Sequence, residues 1–186
     1  ATVISAACQA LERQLPFAPL AEAIGRYIHN LPTPALQSLP ANSLSQLAQI
    51  VPSLQDLIPS LPALSTSSSE VFTLASESRQ RLIDGVIAFL TALANLRPLV
   101  IFLDDLHWAD TDTLAVIGRL AQRVNDVPIL LLLAYRSDEL AENEALGTLL
   151  HALQRTQSQQ KLSVRRLTQS QVQQYVARLL GAQSNS

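Results

Sequence analysis

Apolar positions along the chain follow two rhythms, and the order in which they alternate predicts the fold. Residues 99–103 and 129–134 are continuous apolar runs, too short for helices, and residues 3–7 are short and apolar enough to make a third strand. Unbroken runs of this kind mark strands of a parallel sheet covered on both faces. Elsewhere apolar residues return every three or four positions. Leu20, Ala23, Ile24, Tyr27, Ile28 and Leu31 do so after Pro16 and Pro19, which suit a helix entrance better than its interior. Leu82, Ile83, Val86, Phe89, Leu90 and Leu93 line one face of a helix over residues 77–96, and Pro98 forbids its continuation. Leu114, Ile117, Leu120 and Val124 mark a helix over residues 111–124, so strand, helix and strand together make a βαβ crossover. The pattern then predicts a helix over 144–154, a strand over 161–165 and a helix over 169–180 that stops at Gly181. The expected class is α/β, with ligands at the carboxyl ends of the strands.

One stretch breaks this regularity. Between residues 31 and 69 the only charged side chain is Asp56, and six of the ten prolines fall there. Leu44, Leu47, Val51, Leu54, Ile58 and Leu61 are still spaced by three and four, a helical stripe interrupted by Pro52 and Pro59, so short kinked helices are expected. Packing of this stripe on the chain's own core is favoured over a docking surface for a protein partner. The serine-rich residues 65–69 read as a mobile loop.

Composition narrows the classes. The chain has 186 residues, 48% of them hydrophobic, enough for one domain with a sizeable core. Ala1 opens directly on an apolar run with no initiator methionine, so a chain cut from something longer is expected. A net charge of -2 and a pI near 5.9 offer no basic footprint, which argues against nucleic-acid binding by this segment. The single cysteine, Cys8, cannot form an internal disulfide, and no secretory signal precedes it, favouring the cytoplasm. No apolar run approaches the roughly 18 to 20 residues that span a bilayer, so no membrane association is expected.

The chemistry concentrates where residues 99–103 end in two adjacent carboxylates, Asp104 and Asp105, with a helix-starting Asp110 five residues on. This reads as the magnesium-handling half of a nucleotide site. The other half, a G-x-x-x-x-G-K-[ST] loop that cradles phosphates, is not in this sequence: none of Gly25, Gly85, Gly118, Gly147 and Gly181 is followed by lysine. Asp110 is expected to cap the following helix, with Asp112 in its first turn. A metal site built from Asp104, Asp105, His107 and Asp110 is disfavoured, since structural zinc prefers Cys and His. Arg136 could simply pair with Asp138 or Glu139.

Leu99-Val-Ile-Phe-Leu-Asp104-Asp105-Leu-His107-Trp108-Ala-Asp110, followed one βαβ unit later by Ile129-Leu-Leu-Leu-Leu-Ala-Tyr135-Arg136, resembles the Walker B and sensor-1 segments of AAA-type ATPases. The His-Trp-Ala-Asp extension is similar to the signal-transduction (STAND) subgroup of large bacterial regulators, and Leu15-Pro-Phe-Ala-Pro-Leu-Ala-Glu-Ala23 resembles the segment after that family's second strand. The resemblance implies a three-layer P-loop NTPase core with a parallel sheet, incomplete because the first strand and phosphate loop are absent. With the family's strand order 5-1-4-3-2, the strands at Val3, Leu99, Ile129 and Lys161 would be the second to fifth, leaving an open channel and poor stability alone. Residues 1–168 would be a partial ATPase core, with 31–69 as a helical excursion, and 169–186 the start of a lid. ATP and Mg²⁺ are the implied cofactors. Asp104 would hold Mg²⁺ through water, Asp105 would orient the attacking water, and Arg136 would bind and sense the γ-phosphate and stabilise charge during transfer. His107 and Trp108 would relay nucleotide state, or Trp108 would anchor its loop. The implied role is an ATP-hydrolysing switch, inactive as this chain alone, whose partners are other domains of the same polypeptide, LuxR-type or SARP-type DNA-binding modules, kinases or cyclases. The contrasting reading is a non-catalytic scaffold that binds a protein partner through the Leu44 to Leu61 stripe.

Overall fold

The structure, a computed structural model, describes residues 1–61, 73–155 and 159–180. Strands β1 (Thr2–Ala7), β2 (Leu99–Asp104) and β3 (Ile129–Leu133) form one parallel sheet in the order β1-β2-β3. The register pairs Ile4 with Ile101 and Ile101 with Leu131, and sets Ala7 beside Asp104. All three strands therefore finish at the same edge.

Helix α1 (Ala18–His29) follows β1, and three short helices come next: α2 (Thr33–Gln37), α3 (Ala41–Leu47) and α4 (Ser53–Leu57). Long α5 (Thr73–Leu96) leads into β2, α6 (Thr111–Ala121) joins β2 to β3, and α7 (Glu144–Gln154) and α8 (Gln169–Leu179) complete the described elements. The prolines of the 31–69 stretch start helices as much as they stop them: Pro32, Pro40 and Pro52 occupy the positions just before α2, α3 and α4. An N–H is dispensable there, which is where proline costs least.

Leu44, Leu47, Val51, Leu54 and Ile58 are buried and Leu61 is half-buried, so the apolar stripe is core and does not form an exposed docking surface. Helix α3 crosses α5 closely enough that a Cβ on Gly85 would lie 2.4 Å from Gln46 Cβ. Helices α5 and α6 are further joined by Arg119, which bonds Asp84 at 2.7 Å and Gln80 at 2.8 Å, and by the pairing of Arg79 with buried Asp112.

Two expectations are corrected. The sheet is covered on one face only among the described residues. Ile4, Ala6, Leu99, Ile101 and Leu103 are buried, whereas Val3, Leu130 and Leu132 on the opposite face are 62%, 53% and 46% exposed. The cause is topological. The steps from β1 to β2 and from β2 to β3 run the same way across the sheet, and right-handed crossovers then place both sets of helices on the same side. Covering the other face needs a crossover running back. The second correction concerns residues 161–165, which form no strand. Leu162 and Val164 alternate as a strand should but are exposed, and nothing in the sheet pairs with them. Alternation marks a segment able to pair, and pairing requires a neighbouring edge in register.

Helix α8 stands apart, with Val172, Tyr175, Val176 and Leu179 exposed. Local chemistry starts it: the Gln171 side chain accepts the Thr168 N–H at 2.8 Å while the Thr168 hydroxyl accepts the Gln171 N–H at 3.4 Å, a capping box. The expected loop at 65–69 and the stop at Gly181 lie outside the described residues. No described helix is long and apolar enough to cross a membrane.

Candidate nucleotide and magnesium site

The site is built where β2 runs out. Asp104 is the last residue of the central strand and is exposed. Asp105 then takes a left-handed conformation, φ 50° and ψ 41°. Aspartate tolerates that region better than most residues, and backbone strain of this kind collects at functional turns. The turn is held from three directions. Asp104 Oδ1 accepts the Asp105 N–H at 2.9 Å, the Asp105 carbonyl accepts the Trp108 N–H at 2.9 Å, and the Ala134 carbonyl accepts the Leu106 N–H at 2.8 Å. The backbone is thus fixed while the Asp105 side chain stays 44% exposed. Two carboxylates on a rigid frame face solvent at the sheet's carboxyl edge.

Arg136 follows β3. Its backbone N–H approaches His107 Nδ1 at 3.5 Å, and its guanidinium, 65% exposed, is bonded to Glu139 Oε1 at 2.8 Å. The Glu139 hydrogen bond, with that carboxylate's charge, raises the Arg136 pKa further, and the charge of Asp105 adds to it. Arg136 makes no direct bond to Asp104 or Asp105. The pairing with Glu139 is the simple ion pair that its sequence neighbourhood allowed.

The same carboxylate has a second contact. Glu139 Oε2 lies 2.9 Å from Nε2 of His107, a side chain only 2% exposed, and Asp105 Oδ1 lies 3.9 Å from the same nitrogen. The contact with Glu139 is close but not aligned as a hydrogen bond. His107 in turn meets half-buried Trp108, ring centroids 5.1 Å apart at 52°. Sequence reasoning had Glu139 only as a partner of Arg136. Its reach to His107 depends on the adjacency of β2 and β3, which no local pattern reports.

Behind this exposed group stands a buried one. Asp110 caps α6 as expected: Oδ1 accepts the N–H groups of Asp112 and Thr113, both at 2.9 Å, and Oδ2 accepts the Thr113 hydroxyl at 2.6 Å. Oδ1 also accepts the N–H of Phe17 at 3.1 Å, and Phe17 is itself left-handed, φ 61°, at the start of α1. Asn143 plays a matching part for α7. Its Oδ1 accepts the Leu146 N–H at 3.0 Å, while its Nδ2 donates to the carbonyls of His107 at 3.1 Å and Ala109 at 3.2 Å. Sequence reasoning did not single out Asn143, and its grip on a loop more than thirty residues away has no local signal.

Cys8, one residue beyond β1, donates its backbone N–H to the Asp104 carbonyl at 3.0 Å. Burial first, then the carboxylates of Asp110, Asp105, Asp104 and Glu12, push its thiol up to about 12, so it stays neutral and unreactive. Magnesium keeps most of its water and commonly takes one or two carboxylates beside the nucleotide phosphates, and exposed Asp104, with only one oxygen engaged by a backbone N–H, fits that demand.

A parallel α/β sheet whose central strand ends in two carboxylates is consistent with part of a P-loop NTPase-like core. The family model of the AAA ATPase domain matches residues 1–133, and the chain belongs to that family. The match takes in Asp104 and Asp105 and ends at the last residue of β3, before Arg136 and Glu139. No curated protein and no solved structure matches the chain.

Proposed function

We propose that this chain carries the magnesium-handling and sensing half of an ATP-hydrolysing switch within a larger cytoplasmic signalling or transcription regulator of the STAND kind. The observation that carries the reading is the rigid left-handed turn presenting Asp104 and Asp105 to solvent at the end of the central strand. Residues 1–168 are the core and α8 begins the lid. Bound Mg²⁺ would neutralise charge on the β- and γ-phosphates of ATP, with Asp104 holding it through water. Asp105 orients the attacking water, and Arg136 stabilises charge on the transferred phosphoryl group. The phosphate-cradling backbone is not among these 186 residues, so the chain alone is inactive and hydrolysis belongs to the polypeptide that supplies a phosphate loop. Attached DNA-binding, kinase or cyclase modules would read the state of the switch.

The test uses ATP binding by the full-length polypeptide with and without Mg²⁺. Asp104→Asn should remove most of the magnesium-dependent gain in ATP affinity, about tenfold or more, and leave magnesium-free binding near wild type. An unchanged magnesium dependence would contradict the assignment.

A further inference from the structure

Glu139 is more than the partner of one arginine. Its two oxygens are divided between two residues on different strands' loops: Oε1 binds the Arg136 guanidinium at 2.8 Å, and Oε2 faces His107 Nε2 at 2.9 Å. The Glu139 side chain is 23% exposed, against 65% for Arg136, so the carboxylate is the more buried member of the pair and the guanidinium the one open to solvent. His107 sits at a junction, buried, between Glu139 and the Asp105 turn, with its ring against Trp108. Asn143 holds the backbone of this loop from beneath through the carbonyls of His107 and Ala109, so the junction cannot easily drift.

We infer that Glu139 is a positioning residue that competes with nucleotide phosphate for Arg136 and couples the release of Arg136 to His107 and Trp108. This rests on the reading of Arg136 as the phosphate-facing arginine. In the structure the guanidinium is paired with Glu139. A γ-phosphate offers more charge and more acceptor oxygens than a single carboxylate oxygen, and draws Arg136 away. The Glu139 carboxylate, freed of one partner, is then available to His107 alone, which changes the surroundings of the Trp108 ring. Occupation of the site is thereby passed to the loop that enters α6.

Trp108 is the only tryptophan of the chain and supplies the readout. ATP and Mg²⁺ are titrated into the full-length polypeptide while tryptophan emission is followed, with Trp108→Phe used to subtract other tryptophans. Glu139→Gln should alter Trp108 emission before any nucleotide is added. It should also tighten ATP binding about two- to fivefold, the size of a partly exposed ion pair. In an Arg136→Ala background the same substitution should leave ATP affinity unchanged. Glu139→Asp, which keeps the competing charge, should retain wild-type affinity within about twofold, and serves also if Glu139→Gln fails to fold. If Arg136→Ala weakens ATP binding but neither emission nor affinity responds to Glu139→Gln, the inference is overturned and the role of Arg136 stands. If Arg136→Ala changes nothing, the underlying reading of Arg136 fails and the inference falls with it.

Discussion

Asp105 and Asp110 lie five residues apart in one loop, and the structure treats them oppositely. Asp110 is 5% exposed and takes four hydrogen bonds, one from the start of α1 and three from the start of α6. Asp105 is nearly half exposed, sits in a left-handed turn and meets only the edge of His107 at 3.9 Å. A buried carboxylate that already accepts four bonds from the chain's own N–H and O–H groups has little left for a ligand and works as structure. One held on a fixed backbone with its oxygens open is available for chemistry. Residue type is the same in both cases, and the satisfied hydrogen bonds decide the role.

The contrast breaks most visibly at Asp110. Asp110→Ala removes the α6 cap and strands the buried N–H of left-handed Phe17, so unfolding free energy should drop by about 3 kcal/mol. Urea denaturation followed by circular dichroism measures it, and a loss below about 1 kcal/mol would mean that the cap is dispensable. Asn143→Ala should cost less, about 1–2 kcal/mol, because one cap and two loop bonds are lost but no strained residue depends on them. If its hydrolytic loss exceeds its stability loss, the loop clamp serves the site as well as the fold.

Cys8 sharpens the comparison through pH. Its thiol is raised from near 9 to about 12 in the folded chain, with burial as the main cause and the Asp110, Asp105, Asp104 and Glu12 charges adding to it. Above pH 9 the unfolded chain gives up that proton while the folded chain keeps it, so the unfolded state binds fewer protons and stability falls as pH rises from 9 toward 12. Cys8→Ala should flatten this part of the stability profile, at the cost of a small cavity. At pH 8 the folded protein should react with thiol reagents only as fast as it unfolds, and rapid modification under native conditions would contradict the buried placement.

Much of this was legible along the chain. Two continuous apolar runs and the short apolar stretch at residues 3–7 located all three strands, although exposed Leu130 and Leu132 show that an unbroken run does not by itself report cover on both faces. The aspartate before a helical pattern announced the Asp110 cap, and the helix faces of α1, α5 and α6 followed from their spacing. What escaped depends on partners distant in sequence. Leu162 and Val164 carry strand alternation, but no described edge receives them. The exposure of Leu130 and Leu132 follows from the direction of the crossovers, which composition does not encode. The bridge from Arg136 through Glu139 to His107 exists because β3 lies beside β2, and Cys8 meets Asp104 because Ala7 and Asp104 share a register position. Local rules read each element well and the meeting of elements poorly.

The central claim is that Asp105 serves chemistry while Asp110, in the same loop, serves structure. The most direct measurement is ATP binding and ATP turnover by the full-length polypeptide carrying Asp105→Asn, with its thermal unfolding recorded alongside. The account predicts an unfolding temperature within about 2 °C of wild type, retained ATP binding, and turnover reduced about a hundredfold or more, as expected when a positioned catalytic group is lost. Wild-type turnover in a folded, ATP-binding Asp105→Asn protein would contradict it.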